Sequence, residues 1–117
     1  MTESRDQQRP VNEDEALERL NGDREFLNEL LSDFIQMVDE EMESLLNALR
    51  GNDTSAAVVS SHGMKGAAAN LSANAFAEEA RRIEMLCRES RLEEAQENLQ
   101  GLQARLEELR KYVSSLG

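Results

Sequence analysis

REFLNELLSDFIQMVDEEMESLLNALR, residues 24–50, is the stretch on which the fold turns. Leu27, Leu30, Leu31, Phe34, Val38, Met42, Leu45 and Leu49 recur at steps of three and four. Such steps wind one apolar stripe along a long helix and leave the carboxylates on its other face. Asp23 stands in front as an N-cap, and Gly51-Asn52 ends the run.

The same punctuation extends in both directions. Upstream, Asn12 stands three residues before Glu15, a capping-box-like start to a short helix that runs to about Leu20. Asn21-Gly22-Asp23 stops that helix. Residues 1–10 read as a disordered polar tail, and 11–117 as the folded domain. Downstream, Asp53 or Thr54 can cap a third helix with Ala57, Ser61, Met64, Ala68 and Leu71 inward. Ser72 or Asn74 is the expected cap of a fourth, with Phe76, Ala80, Ile83 and Cys87 inward. The last segment carries Leu92, Ala95, Leu99, Leu102, Leu106, Leu109, Val113 and Leu116, an unbroken heptad pattern. Taken alone it could be a coiled-coil strand, but three other striped helices are available to cover it. Strand signals are almost absent. The expected fold is all-α: an up-and-down antiparallel four-helix bundle with an additional short N-terminal helix.

Composition narrows the function. A chain of 117 residues makes one domain, and 39% hydrophobic residues with 3% aromatics make an aliphatic core. Thirteen Lys and Arg against 24 Asp and Glu leave a net charge of −11, which repels phosphate backbones and anionic lipid. Nucleic acid and membrane are therefore not expected partners. No apolar run has the length of a spanning helix or signal-peptide core, so the expected location is the cytoplasm. Cys87, a single cysteine on a core stripe, reads as inert packing. Di-metal bundles need Glu-x-x-His pairs, whereas Val59 stands three before the single histidine, so no metal or cofactor is expected.

The unusual stretch is Ser60-Ser61-His62-Gly63-Met64-Lys65-Gly66-Ala67-Ala68-Ala69-Asn70-Leu71. At about 100° per residue the core face of Ser61, Met64 and Ala68 points away from His62. Lys65, Gly66 and Ala69 lie within about 60° of it on the same count. Glycine within a helix costs about 1 kcal/mol relative to alanine, yet Gly63 and Gly66 both occur here, as though something must approach closely. The chemistry this suits is phosphoryl transfer to imidazole, which titrates near neutrality and offers a nucleophilic nitrogen. Lys65 could balance the phosphoryl charge, and Gly66 could leave room for a partner's active site. Val58 and Val59 read either as exposed docking surface or, with a slightly rotated helix, as ordinary core. Hairpin arithmetic about Asn52 brings Met42 level with His62 and makes its neighbourhood a further docking candidate.

His62-Gly63-Met64-Lys65-Gly66, followed by Asn70-Leu71-Ser72-Ala73, resembles the signature of histidine-containing phosphotransfer (HPt) domains. The family pattern is roughly His-x-Leu-Lys-Gly, then Asn-Leu-Gly-Ala. Met64 stands for the usual leucine and Ser72 for the usual turn glycine, a change expected to shift the start of the fourth helix. The resemblance runs from about Val11 to the C-terminus. It implies a four-helix bundle whose surface histidine takes phosphate from an aspartyl-phosphate in a receiver domain and passes it to another receiver. By this analogy His62 is the phosphoacceptor, Lys65 stabilises the phosphoryl group and Gly66 gives the receiver access. Magnesium belongs to the receiver, and the chain is a carrier without an ATP site of its own.

The competing readings are a helical adaptor that never carries phosphate and an HPt module of a larger hybrid sensor kinase. Met1 and the polar tail suit a free-standing protein, and a monomer is expected. A kinase's own dimerisation helices normally place an acidic residue directly after the histidine, whereas Gly63 follows His62.

Overall fold

The computed structural model describes residues 9–116; most of the expected tail, residues 1–8, lies outside them. The regular elements among the described residues are all helices. They are α1 (Glu13–Arg19), α2 (Arg24–Arg50), α3 (Thr54–Asn70), α4 (Asn74–Arg88), α5 (Leu92–Glu97) and α6 (Leu99–Leu116).

Three of the expected caps are present. Asn12, Asp23 and Asp53 accept from the backbone N–H groups of Glu15, Phe26 and Ala56 at 3.2, 3.0 and 3.1 Å. Each satisfies one of the donors that a helix start leaves orphaned. The fourth cap differs from expectation. Ala73, with no side-chain bond to give, occupies the N-cap of α4. Ser72 instead takes a left-handed conformation at φ 58° and is fully buried.

Its geometry belongs to a motif used four times. Asn21, Asn52, Ser72 and Ser90 all have φ between 54° and 60° just past a helix end. In each case the next N–H reaches back five residues: Gly22 to Leu17, Asp53 to Ala48, Ala73 to Ala68 and Arg91 to Leu86, at 2.8–2.9 Å. This is the 6→1 bond of a Schellman turn. Three of these turns deliver the next helix's N-cap directly, so α2, α3, α4 and α5 follow one another through very short connections.

The expected apolar faces form the core. Leu27, Leu31, Phe34, Val38, Met42, Leu45 and Leu49 of α2 are buried with Ala57, Met64 and Ala68 of α3. Phe76, Ala80, Ile83 and Cys87 of α4 join Leu99, Leu102, Leu106 and Leu109 of α6. Phe34 meets Phe76 edge to face, with ring centres 5.6 Å apart. Small residues let α3 pack closely, and buried Ser61 satisfies its hydroxyl on the Ala57 carbonyl at 2.8 Å.

Two expectations need correction here. The last stripe is continuous, but its backbone is not: Asn98 separates α5 from α6. The Asn98 side-chain amide donates to the Glu94 carbonyl at 2.8 Å, alongside its own backbone N–H at 3.1 Å. That competition for one carbonyl tightens the turn and breaks the helix. Met42, offered as a docking residue, is only 7% exposed and belongs to the core. Its place on the α2 stripe, three and four residues from Leu45 and Val38, turns it inward.

α1 is fastened across the α3–α4 turn. Asn12 N–H donates to the Ser72 carbonyl at 2.9 Å, and Ser72 Oγ donates to Glu15 Oε1 at 2.6 Å. Arg19 Nη1 donates to the carbonyls of Ala69 and Asn70, both at 2.9 Å, satisfying the end of α3. At the other side Glu13 accepts from the Tyr112 hydroxyl and pairs with Arg24 at 2.8 Å.

Candidate functional site

α3 brings His62 to the surface because its neighbours Ser61 and Met64 take the buried positions of that turn. The imidazole is 58% exposed, but it is not loose: Nδ1 lies 3.1 Å from Oε2 of Glu84, a side chain only 6% exposed. Glu84 comes from the middle of α4, the helix against which α3 packs.

Glu84 is the hub of the site. Oε2 accepts from Arg88 Nε at 2.8 Å as well as from His62 Nδ1, with Arg88 Nη2 in ion-pair contact at 2.7 Å. Lys65 Nζ approaches Oε1 at 2.9 Å. That approach is off the direction of a good hydrogen bond, so Oε1 is held by charge alone. Burial by itself would push this carboxyl up, but the Lys65 charge and the hydrogen bonds from Arg88 and His62 override it and hold it at about 2. Glu84 is therefore an ionised acceptor throughout the physiological range. It has no hydrogen to offer, so the Nδ1 contact requires the hydrogen on His62 Nδ1. The lone pair is then on Nε2, which bonds to none of the described residues.

The other predicted residues fall around this centre in different ways. Lys65, 30% exposed, is beside the imidazole but engaged with Glu84. Gly66 and Gly63 have nothing within 4 Å of where a Cβ would stand, so packing within the chain demands neither glycine. Val59 is 70% exposed, whereas Val58 is half-buried against the core. Ala69 is exposed, and its carbonyl is taken by Arg19. No group of three or more His, Cys, Asp or Glu that could hold a metal gathers among the described residues.

Glu84 and Arg88 escaped the sequence reading. The signal was present: Glu84 lies four after Ala80 and three before Cys87, so it is a carboxylate on the inward stripe of α4. An acid at such a position needs cations, and Arg88 stands one turn on.

An exposed imidazole, fixed through one nitrogen and open at the other, offers the Nε2 lone pair to a group that approaches from outside. Comparison with known proteins gives the family of the chain. It belongs to the Hpt domain family, whose model matches residues 29–112. Among curated proteins it is similar to the phosphorelay intermediate protein rdeA of Dictyostelium discoideum, with 33% identity over 93 residues. That match takes in 80% of this chain and 37% of the relative, so the chain spans little more than a third of that protein's length. No solved structure matches the chain. No helix among the described residues is long and apolar enough to cross a membrane.

Proposed function

We propose that this chain is a phosphorelay carrier in two-component signalling. The Nε2 lone pair of His62 attacks the phosphorus of an aspartyl phosphate on a receiver domain. The P–O bond to the aspartate breaks, the aspartate leaves as carboxylate, and the N–P bond forms. The hydrogen stays on Nδ1, so the ring becomes cationic beside the Glu84 carboxylate, much as an acid steadies a catalytic imidazolium elsewhere. Attack by the carboxylate of a second receiver reverses these changes and returns a neutral ring. The observation that carries the reading is the exposed His62 held through Nδ1 by buried, ionised Glu84.

Lys65 would offset the phosphoryl charge, and Gly66 would admit the receiver's active site, with Val59 and Ala69 on the docking face and Val58 at its edge. Magnesium would be held by the receiver. The scaffold would be an up-and-down antiparallel bundle of α2, α3, α4 and the broken α5–α6 helix, with α1 across one end. The carrier would act as a cytoplasmic monomer without an ATP site, either alone or within a hybrid sensor kinase.

Incubation with a phosphorylated receiver and Mg²⁺, beside a His62→Gln control, tests the reading. Acid-labile, base-stable phosphate on the wild type alone supports it. If a panel of receivers transfers nothing, the carrier reading fails and a phosphate-free adaptor takes its place.

A further inference from the structure

The two oxygens of Glu84 are used unequally. Oε2 accepts two N–H groups, from His62 Nδ1 and Arg88 Nε, and has Arg88 Nη2 in ion-pair contact at 2.7 Å. Oε1 faces only the ammonium of Lys65, at 2.9 Å and off the hydrogen-bond direction. One oxygen is thus a fixed junction and the other a loosely directed resting place. The cations differ in kind as well. Arg88 presents a planar, two-pronged donor four residues after Glu84 on the same helix, the favourable order for such a pair. Lys65 is a point charge on a flexible stem, three residues from His62 on the same helix.

We infer that Arg88 is a positioning residue that holds Glu84 in place while Lys65 moves from Oε1 to the phosphoryl group carried by His62. This rests on the carrier reading above. A phosphoryl group on Nε2 brings up to two negative charges into reach of Lys65 and outcompetes a single carboxylate. Lys65 can leave only if Glu84 remains paired, because a buried carboxylate stripped of its cations is strongly disfavoured. Arg88 is the group that remains. Its polar partner among the described residues is Glu84, with no hydrogen bond to His62, and its side chain is 55% exposed, so its replacement does not open the core. No bond forms or breaks in the step; one ion pair is exchanged for another.

The prediction is that Lys65 depends on Arg88. With a receiver loaded by acetyl phosphate and Mg²⁺, Lys65→Ala is expected to slow transfer to His62 about tenfold. Arg88→Ala is expected to cost about the same, because Lys65 then stays on Glu84. Arg88→Lys, which keeps a cation on Glu84, should recover most of the rate. The ¹⁵N resonance of the Lys65 ammonium should shift on phosphorylation in the wild type and stay put in Arg88→Ala. Wild-type transfer by Arg88→Ala, or a Lys65 resonance that shifts in Arg88→Ala as it does in the wild type, overturns the inference while leaving the carrier reading intact. A wild type that takes no label from any receiver overturns the carrier reading itself, and the inference falls with it.

Discussion

His62, a side chain 58% exposed, is oriented by Glu84, a side chain 6% exposed, across 3.1 Å between Nδ1 and Oε2. The imidazole is thereby tied to the interior without being buried, so one carboxylate both orients the ring and links α3 to α4.

The first prediction concerns that carboxylate. Its carboxyl is held at about 2 in the folded chain against an ordinary 4.5. Between those values the unfolded chain binds the extra proton, so stability falls as pH drops from about 4.5 to about 2. The shift is worth at most about 3 kcal/mol at neutral pH, less whatever solvent screens from its exposed partners. Glu84→Gln should lower neutral-pH stability and flatten the acid limb of a denaturation series. It should also slow phosphorylation of His62 at least about tenfold, because the ring cation loses its counter-charge.

A second prediction separates the two glycines. Alanine at Gly63 or Gly66 meets nothing within 4 Å and should raise stability by about 1 kcal/mol through helix propensity alone. Only at Gly66 should transfer suffer, modestly with alanine and almost completely with leucine. Thermal melts beside transfer rates on Gly63→Ala, Gly66→Ala and Gly66→Leu test this, and a Gly66→Leu protein that transfers normally would refute the access role.

How much of this was legible in the sequence follows from what each signal depends on. The stripe of α2 and the caps Asn12, Asp23 and Asp53 are local patterns, and local patterns could be read. The turn at Ser72 could not, because its conformation answers to Glu15 and Asn12, far away in sequence. The Asn98 break hid behind a heptad that continued across it. His62, Lys65 and Gly66 lie within one turn of α3 and announced themselves together. Glu84 and Arg88 act from another helix, and only tertiary packing reveals them.

The Ser72 turn yields a third prediction. Ser72→Ala keeps the left-handed strain, roughly 1 kcal/mol, and loses the 2.6 Å bond to Glu15, roughly 1.5 kcal/mol or more. Ser72→Gly loses the same bond but relieves the strain. Glycine should therefore be more stable than alanine by about 1 kcal/mol, with the wild type at least as stable as either. Urea midpoints decide the order.

Docking and packing should also separate cleanly. Val59→Ala, at a residue 70% exposed, should change stability by less than about 0.5 kcal/mol while weakening receiver binding several-fold. Met42→Ala should do the reverse, costing about 2–5 kcal/mol of stability with binding intact under folding conditions. Calorimetric titration alongside denaturation would expose any exchange of these roles.

The contact between Tyr112 and Glu13 has a further consequence. It brings the opening helix and the closing helix of the described chain together, so a short flexible linker could join them. The Gly51-Asn52 turn, exposed and with its backbone N–H groups bonded to the adjoining end of α2, is a natural place to cut. A circular permutant opened there should fold, with α3 and its histidine near the new N-terminus. The same closeness of ends would let this unit be spliced into a loop of a host protein without pulling the host apart.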